Sequence, residues 1–395
     1  SSLLKLGYKF KSKSDTEVVL NAYIAWGDKA VEKLNGMFAF LIWDKKKKEL
    51  FIARDRYGIK PLYYSINSQR IIISSEIKSI KRFIKPSINE ESLIEYFLFQ
   101  NYLENKTMFS GIFLFEKGCT YKIINRKLVK KKYFNPFDSI FSIKKCKNSS
   151  LNNLMKESIG KQTISDVPIS SYLSGGIDSS LITYYAAKSL KKLETFTCGF
   201  SLESNAPSNN DESDDANLIS KRLKINNYST KFAKHDIDKY LKETCNTIEE
   251  PRLGFSLPNF KIAKFVKKHN YKVILSGAGG DEMFGGYPWR YKAAFISSNK
   301  NEFIQNYFNL NFRFNYDHLD LLFSPIKKLV DTDYKIQGFY SFFDFLNVKS
   351  NKEDFIKSSL LFDINYFLEG YCIVEDKISM SQSLETRVPF LENNL

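Results

Sequence analysis

The sequence has very few of the side chains that build histidine or cysteine metal sites. Only three of its 395 residues are histidines, and none lies near another along the chain. Its five cysteines are scattered, odd in number and without a CxxC pair. A histidine-ligated zinc site is therefore excluded. No disulfide framework is expected, which favours a reducing compartment.

Long hydrophobic runs and a recognisable beginning are also missing. The longest apolar run, Met37–Trp43, falls well short of the roughly 20 residues that a membrane-spanning helix needs. The chain starts at Ser1 with no initiator methionine or signal peptide, and it stops at Leu395 directly after a dense segment. We therefore expect a cytoplasmic protein whose sequence is truncated at both ends. Its length still allows two or three globular domains.

Positive charge is what the sequence has in excess. Lysine and arginine number 59 against 44 aspartates and glutamates, which gives a formal net charge of +15. Such a surplus is typical of proteins that bind nucleic acid. The lysines are spread along the chain, however, and the run Lys45–Lys48 lies at a predicted hairpin tip. We attribute the surplus to compositional bias, and we expect neither a nucleic-acid nor a membrane partner.

The hydrophobic pattern divides the chain into two parts. Residues 1–140 are predicted to form a helix that opens at Asp15, followed by tandem hairpins. The dipeptide Asn135-Pro136 and the polar stretch Lys144–Ser150 indicate a linker. Residues 150–395 alternate between strands and helices, which favours a parallel sheet with helices on both faces. The predicted strands are 37–43, 50–53, 71–74, 167–173, 195–199 and 272–275, the helices are 178–190, 216–223 and 260–268, and the aromatic-rich residues 290–370 are also predicted to be helical.

The sharpest motif is the sequence YLSGGIDSS at residues 172–180, between a predicted strand and a predicted helix. Its two glycines allow a tight turn and close approach of the backbone to a ligand. The N-terminus of the helix then presents free N–H groups, so the motif predicts an anion site suited to pyrophosphate. Ser174 and Ser179 add hydroxyl donors. Asp178 is a poor phosphate ligand and is better suited to hold a Mg²⁺ ion that bridges the phosphates.

A second glycine-rich loop, LSGAGGDEMFGGY at residues 275–287, follows a later predicted strand and carries Asp281. Open α/β sheets bind ligands at the carboxyl ends of their strands. We therefore expect the two loops to close on one nucleotide and its metal ion. A third segment, EDKISMSQSLETRVPF at residues 375–390, is weak by itself, because a lysine beside acidic residues is most often part of a surface ion pair.

Together these segments resemble the glutamine-hydrolysing asparagine synthetases, a family of class II glutamine amidotransferases. The two glycine loops and the third segment occur in the order found in that family. In the first part of the chain, SDTE at 14–17, NGMFAF at 35–40 and ARDRYGIKPLYY at 53–64 resemble the later portion of its glutaminase domain. The resemblance covers nearly the whole chain.

The resemblance implies an α+β part followed by an α/β part. Residues 1–140 would be a glutaminase domain of the N-terminal-nucleophile αββα type without its beginning. Residues 150–395 would be a parallel-sheet, pyrophosphatase-loop synthetase domain (adenine nucleotide alpha-hydrolase-like), incomplete at its C-terminus. The implied chemistry uses ATP and Mg²⁺ to adenylate the aspartate side chain, and glutamine-derived ammonia then gives asparagine, AMP and pyrophosphate. Glutamine, aspartate and ATP would be the partners, and a homodimer is compatible with the resemblance.

The resemblance also assigns roles to individual residues by matching position. Asp15 would bind the α-amino group of glutamine. Asp178 and Asp281 would be the Mg²⁺ ligands, and Lys377 would be catalytic, neutralising phosphate charge during adenylation. The ATP-binding residues would be Leu173 and Cys198 on the adenosine, Ser174, Gly175, Gly176 and Ser179 on the pyrophosphate, Ser276 and Gly277 closing the site, and Asp178 through the metal.

Two departures from the family pattern bear on function. The nucleophilic cysteine would lie upstream of Ser1, and no internal cysteine can replace a residue whose own α-amino group is the base. We therefore expect this polypeptide to lack glutaminase activity. Ala278 stands where many family members carry an acidic or amide side chain, which leaves the acceptor carboxylate open. The aspartate pocket is expected near residues 249–258.

Three alternatives stay open at this point. The nearest is an amidotransferase of the same family that acts on another carboxylate, such as a sugar acid in surface polysaccharide biosynthesis. A tRNA-modifying pyrophosphatase-loop enzyme is less favoured, because residues 1–135 contain no RNA-binding motif. A non-catalytic scaffold is disfavoured because Asp178, Asp281 and Lys377 are all present.

Overall fold

The computed structural model describes most of the chain. The described residues are 2–103, 105–124, 127–140, 148–201, 211–252, 254–313, 318, 338–343, 346 and 350–395. Residues 144–147, which belong to the predicted linker, lie outside this set, and so do residues 202–210. Among the described helices, none is long and apolar enough to cross a bilayer.

The N-terminal part contains two antiparallel sheets. Its strands are β1 (Ala39–Asp44), β2 (Glu49–Arg54), β3 (Tyr63–Ile66), β4 (Ile71–Ser74), β5 (Phe113–Leu114), β6 (Cys119–Ile124) and β7 (Lys127–Lys132). One sheet has the order β1-β2-β6-β7 and the other β4-β3-β5. One buried cluster takes Ile52 and Tyr121 from the first sheet and the half-buried Tyr64 and Ile73 from the second. The two sheets therefore pack face to face. Their antiparallel strand pairs include the predicted hairpins.

The helices of this part are α1 (Ser2–Lys5), α2 (Asp15–Trp26), α3 (Ala30–Lys33), α4 (Ile77–Ile80), α5 (Glu90–Phe99) and α6 (Pro136–Ile140). The predicted helix is α2. Its N-cap is Ser14, whose side chain accepts a hydrogen bond from the Thr16 N–H, and Asp15 and Glu17 place negative charge in the first turn. The helix ends at Gly27, whose φ of 58° suits a residue without a Cβ.

The C-terminal part is built on a five-stranded parallel sheet. Its strands are β8 (Ile169–Tyr172), β9 (Glu194–Phe200), β10 (Asn226–Phe232), β11 (Val273–Leu275) and β12 (Glu385–Arg387), in the order β10-β9-β8-β11-β12. The predicted parallel sheet is confirmed. Two of its strands, β10 and β12, were not predicted, because the polar sequence of β10 and the three-residue length of β12 hide them.

Helices cover both faces of this sheet. The described helices of this part are α7 (Asn148–Gln162), α8 (Ile177–Ser189), α9 (Ser213–Leu223), α10 (His235–Ile248), α11 (Ser256–Lys268), α12 (Gly280–Phe284), α13 (Lys292–Ile296), α14 (Lys300–Asn311), α15 (Lys352–Phe362) and α16 (Leu368–Ser381). Val273 and Leu275 of β11 pack into one cluster with α7 and α8, whereas Ile274 packs into another with α11 and α16. This alternation is the two-residue period of a strand buried on both faces.

The described residues of the aromatic-rich stretch are mostly helical, as predicted, with breaks at residues 297–299 and 350–351. Helices α13, α14 and α15 enclose a cluster of stacked and edge-to-face rings that includes Phe303, Tyr307 and Phe355. Leu98 and Phe99 of α5 enter the same cluster, so it also joins the two parts of the chain. Between α15 and α16 the chain forms one π-helical turn, Asp363–Phe367.

Glu392 provides a measurable link between the two parts. Its carboxylate accepts hydrogen bonds from Asn35 of the N-terminal part, from Lys161 at 2.9 Å and from the Asn394 N–H at 2.7 Å. Burial raises the pKa of Glu392, but these donors outweigh burial and lower it below the usual value of 4.5. The ionised form is therefore favoured by folding.

We expect Glu392→Gln to reduce the free energy of unfolding by about 1–2 kcal/mol at pH 7, because charge-assisted hydrogen bonds weaken. A lowered carboxyl pKa contributes stability above the unfolded-state pKa and loses it as the pH falls through the folded-state value. The difference between wild type and variant should therefore be largest above pH 5 and shrink below pH 4.5. Urea unfolding at both pH values measures it, and a difference that grew on acidification would contradict this account.

Candidate active site

The register of two neighbouring strands brings the two glycine loops together. Strands β8 and β11 are parallel neighbours, with Ser171 paired to Leu275 at their carboxyl ends. The first loop leaves β8 two residues later at Leu173, and the second leaves β11 at Ser276. Both loops therefore start from adjacent points on the same edge of the sheet, which is where this class of fold binds ligands.

Hydrogen bonds among its own serines stabilise the conformation of the first loop. The Ser179 hydroxyl accepts from the Ser174 N–H at 3.1 Å and lies 3.0 Å from the Ser174 hydroxyl. The Gly176 N–H donates to the Ser174 Oγ at 3.2 Å. Gly176 is also the N-cap residue of α8. Gly175 has a φ of 103°, and a Cβ there would lie 2.7 Å from the carbonyl oxygen of Glu212. The motif therefore needs glycine for its backbone shape as well as for ligand approach.

The second loop packs directly on the first. A Cβ on Gly277 would lie 3.2 Å from both the Asp178 Cβ and the Ser179 nitrogen. A Cβ on Gly280 would overlap the Asp178 carboxylate. The Ser276 N–H donates to the Arg387 carbonyl at 2.8 Å, so β12 anchors the start of this loop. The two glycines thus create the space in which the Asp178 carboxylate lies.

Three acidic side chains converge at this point. Partial burial and, after it, the negative charges of Asp281 and Glu282 raise the pKa of Asp178 to about 6. Burial also raises the pKa of Asp281 and of Glu282. Glu282 accepts a hydrogen bond of 2.6 Å from the Tyr287 hydroxyl. Repulsion among partly buried carboxylates is what a divalent cation relieves.

The residues fit a Mg²⁺ ion that is held jointly by protein and nucleotide. Within the described residues, no group of three or more His, Cys, Asp or Glu side chains is arranged to hold a metal by itself. Asp178 and Asp281 supply only two carboxylates. Mg²⁺ usually takes one or two protein carboxylates and completes its shell with phosphate oxygens and water, and this pair beside a phosphate loop matches that pattern.

The predicted adenosine contacts lie on neighbouring strands at the same edge. Leu173 is fully buried, and its N–H donates to the Phe196 carbonyl of β9 at 3.0 Å. The Thr197 hydroxyl returns a 2.6 Å hydrogen bond to the Leu173 carbonyl. Cys198 follows directly on β9 and is half-buried, and burial raises its thiol pKa to about 11. The thiol is therefore neutral at physiological pH, as a contact for an uncharged base requires.

Lys377 lies in a different place from the two loops. It is on α16, and its Nζ donates to the Ile248 carbonyl at 3.1 Å and to Glu249 at 2.7 Å. The Nζ also lies 4.7 Å from the centre of the Tyr63 ring. Among the described contacts, none joins Lys377 to the glycine loops. Its helix does reach the second loop, where Ser276 partly offsets the effect of burial, which raises the pKa of Glu375 to about 7.

Glu249 holds this lysine at the boundary of the two parts. Its carboxylate also accepts from the N–H groups of Ile77 at 3.0 Å and Lys78 at 2.6 Å, at the start of α4. The neighbouring Glu250 accepts from the Met108 N–H at 2.9 Å. The stretch that we expected near the aspartate pocket therefore binds the N-terminal part. The sequence carries no periodic signal for these contacts.

Asp15 lines a cavity of about 1030 Å³ between the two parts. Residues of α2 and β1 form one side, and Lys60, Asp376 and Lys377 lie on the other. Lys60 and Asp376 form an ion pair of 2.6 Å across the boundary. The structure therefore brings Asp15 and Lys377 to one cavity and gathers the remaining predicted residues at the edge of the parallel sheet.

The Lys377–Glu249 pair should contribute strongly to stability. The two charged side chains are only 4% and 5% exposed. We expect Lys377→Met to lower the free energy of unfolding by about 3 kcal/mol, because it leaves a buried carboxylate without its cation. The matched variant Glu249→Gln should cost less, since an amide oxygen in the Oε2 position can still accept from the Ile77 N–H and from Lys377. Urea denaturation compares them, and equal or negligible losses would show that the pair is not a stabilising link.

Two family models match the chain and together cover most of it. The model described as Asparagine synthase matches residues 150–395, and the one described as Glutamine amidotransferase domain matches residues 1–134. These matches and the observed sheets confirm the fold class that the motifs implied: a class II amidotransferase part followed by a pyrophosphatase-loop part.

Curated relatives agree with the family models. Asparagine synthetase [glutamine-hydrolyzing] 1 of Bacillus subtilis is 35% identical over 285 residues, which are 71% of this chain and 44% of the relative. Asparagine synthetase [glutamine-hydrolyzing] 3 of the same organism is 27% identical over 416 residues, covering 98% of this chain and 65% of the relative. The chain therefore spans about half to two thirds of the length of these relatives.

Among solved structures, an NH3-dependent NAD synthetase from Campylobacter jejuni is 18% identical and covers 49% of this chain and 92% of its own, with a TM-score of 0.27. That score is too low to support an argument about the fold. The conclusion rests on the family models, the curated relatives and the two converging loops. The chain belongs to the asparagine synthase family.

Proposed function

We propose that the protein is a glutamine-hydrolysing asparagine synthetase, a carbon–nitrogen ligase that uses ATP. It would adenylate the side-chain carboxylate of aspartate and transfer ammonia from glutamine to give asparagine, AMP and pyrophosphate. The observation that carries the proposal is the position of Asp178 against Gly277 and Gly280, which packs the two glycine-rich loops directly against each other. Residues 1–140 would form the glutaminase domain and residues 150–395 the synthetase domain.

The first loop would bind the pyrophosphate portion of ATP. The backbone N–H groups at the start of α8 and the helix dipole would stabilise anionic oxygens there. The hydroxyls of Ser174 and Ser179 already lie 3.0 Å apart and can both turn toward a phosphate. A Mg²⁺ ion bound there would neutralise phosphate charge as pyrophosphate departs. Asp178 and Asp281 would hold that ion.

Adenine and ribose would lie against β8 and β9, next to Leu173 and Cys198. Ser276 and Gly277 would close the site from the second loop. On the other side of α16, Asp15 would bind the glutamine amino group in the interdomain cavity. Ammonia released there would have to pass the boundary at Lys60, Asp376 and Lys377 to reach the adenylate.

Lys377 is proposed to neutralise phosphate charge, and its position defines a test of that role. Its ammonium must leave Glu249 to reach a phosphate. Burial lowers the pKa of Lys377, but Tyr63, Glu249 and Glu250 outweigh burial and raise it, so the side chain stays cationic. ATP–pyrophosphate exchange at saturating Mg·ATP should fall in Lys377→Met and persist in Glu249→Gln. Equal losses in both variants would assign Lys377 to the interface alone.

The acceptor carboxylate is the second open point, and one observation favours a different acid. Ala278 packs, half-buried, against an apolar cluster that includes Ile59, Leu368 and Leu391. It offers no acid–base or hydrogen-bonding group at the centre of the second loop. An acceptor whose recognition depends less on this position, such as a sugar acid, is therefore the second candidate.

One experiment separates these candidates. Pyrophosphate exchange into ATP is measured with the protein, Mg²⁺ and a panel of acids that includes aspartate, glutamate and uronic acids. Aspartate-dependent exchange would support asparagine synthesis. Exchange that depends on another acid would move the assignment to that acceptor, and exchange that is indifferent to aspartate would remove asparagine from consideration.

A further inference from the structure

The π-helical turn Asp363–Phe367 lies between the N-terminal part and the second glycine loop, and it contacts both. A π turn has its hydrogen bonds from residue i to i+5, and here the Leu368 N–H donates to the Asp363 carbonyl. Such turns inside α-helices are rare and occur frequently at functional sites. This one interrupts the continuous path from α15 to α16, the helix whose Glu375 reaches Ser276.

On one side, the N-terminal part binds the backbone of this turn. The Nζ of Lys117 donates to the carbonyl oxygens of Ile364 at 2.9 Å and Asn365 at 2.5 Å. The next carbonyl, that of Tyr366, accepts from the side-chain amide of Asn101. Three consecutive carbonyls of the turn are therefore bonded to side chains of another part of the chain. Lys117 is only 11% exposed and also lies 3.8 Å from Glu369, so it is committed to this contact.

On the other side, the two ends of the same turn hold Arg290. The first residue, Asp363, is fully buried and its Oδ1 lies 3.4 Å from the Arg290 guanidinium. The last residue, Phe367, presents its ring 4.1 Å from the guanidinium carbon. The first and last residues of the turn therefore both contact the arginine.

Arg290 and Tyr291 in turn border the end of the second loop. The Tyr291 hydroxyl donates to Asp363 at 3.5 Å, and its ring lies against Gly285, where an added Cβ would be 3.6 Å away. The N–H groups of Gly285 and Gly286 both donate to the Asp281 carbonyl, at 2.8 and 2.9 Å. The contacts therefore run without a break from Lys117 to the backbone of a proposed metal ligand.

We propose that Lys117 and Asn101 are positioning residues for the second glycine loop, and that they act through the π turn and Tyr291. The N-terminal part then has a role besides supplying ammonia: it holds the nucleotide site of the other part in its working shape. This effect on catalysis rests on the proposed function, whereas the effect on the loop itself does not.

Hydrogen–deuterium exchange on the full chain tests the structural claim without any turnover. The backbone N–H groups of Met283, Gly285 and Gly286 are hydrogen-bonded within the loop and should exchange slowly in the wild type. We expect Lys117→Met to accelerate them about tenfold, because local opening becomes easier when the support is removed. The matched control is Lys130→Met, which removes a half-exposed lysine paired with Glu116 on the same part of the chain and should leave these rates unchanged.

Two results would overturn the proposal. In one, residues 364–368 exchange faster in Lys117→Met while residues 283–286 keep the wild-type rate, so Lys117 secures only the π turn. In the other, the control accelerates the loop as much as Lys117→Met does. Lys117→Gln, which retains a donor, provides the same comparison if the methionine variant does not fold.

A kinetic measurement tests whether the less ordered loop weakens the binding of Mg·ATP. With the favoured acid present and without glutamine or ammonia, Lys117→Met should raise the KM for Mg·ATP in the exchange reaction several-fold more than Lys130→Met does, since the loop proposed to bind the metal is less ordered. If the KM is unchanged while the loop amides exchange faster, the role of Lys117 is only structural and the proposed effect on catalysis is wrong. A wild-type protein without any exchange activity would instead count against the proposed function and leave the hydrogen-exchange result standing.

Discussion

Asp178→Asn is expected to reduce ATP–pyrophosphate exchange by on the order of a thousandfold. A metal ion at a phosphoryl centre supplies several kcal/mol of charge stabilisation, and each 1.4 kcal/mol corresponds to a factor of ten in rate. An asparagine has nearly the same shape but only a neutral oxygen to offer Mg²⁺. Because Asp178 is the residue that both loops enclose, no neighbouring carboxylate occupies its position. Exchange is measured over a range of Mg²⁺ concentrations.

A urea unfolding measurement separates the loss of exchange in Asp178→Asn from simple damage to the fold. The raised pKa of Asp178 means that the fold disfavours its ionised form, first through burial and then through Asp281 and Glu282. Without Mg²⁺, the asparagine variant should therefore unfold at the same urea concentration as the wild type or at a higher one. Wild-type exchange in this variant would remove the metal role from Asp178, and a lower unfolding midpoint would contradict the electrostatic account.

Gly280→Ala is expected to reduce exchange by on the order of a hundredfold while the protein still folds. The new methyl group would occupy the space of the Asp178 carboxylate. The side chain of an aspartate can rotate away at modest cost, so the fold accommodates the change. The displaced carboxylate then no longer faces Asp281. The variant should thus need a much higher Mg²⁺ concentration than the wild type in the exchange assay.

Gly160→Ala is the matched control for this substitution. Gly160 lies in α7, and an added Cβ there meets no atom within 4 Å. It should stabilise the protein by about 0.5–1 kcal/mol, because glycine is a poor helix former, and leave exchange unchanged. In the double variant Asp178→Asn, Gly280→Ala, the loss should be about the same as for Asp178→Asn alone. Additive losses would show that Gly280 acts through something other than Asp178.

The sequence was informative wherever a residue type is required by local backbone chemistry. Gly175 is needed for a φ of 103°, and Gly280 for the close approach of Asp178, so both positions are readable as glycines in a motif. The alternation of strand-like segments with predicted helices identified β8, β9 and β11. Strand β10 was missed, because NNYSTKF offers few apolar residues and lies at an edge of the sheet.

The placement of Lys377 shows where such inference stops. In the sequence it stands two residues from Glu375, which contacts the second loop, and it matches a family motif. On a helix, residues two apart point in different directions. Glu375 therefore lies on the side of α16 that faces the second glycine loop, whereas Lys377 reaches Glu249 and Tyr63 on the side of the N-terminal part. A motif in one dimension does not specify which face of its helix meets which neighbour.

The sequence by itself determined the chemistry of this protein: two glycine loops at strand ends, an aspartate in each, no imidazole to bind a metal and a family membership that follows from their order. These features depend on residues close together in the chain, where backbone conformation and hydrogen bonding are local. Only the tertiary structure decided that β8 and β11 are neighbours, that Asp178 lies under Gly280, and that Lys117 binds the π turn. Those contacts join residues more than 90 positions apart, and they exist because packing of the sheet and its helices, which has no local signature, brings them together.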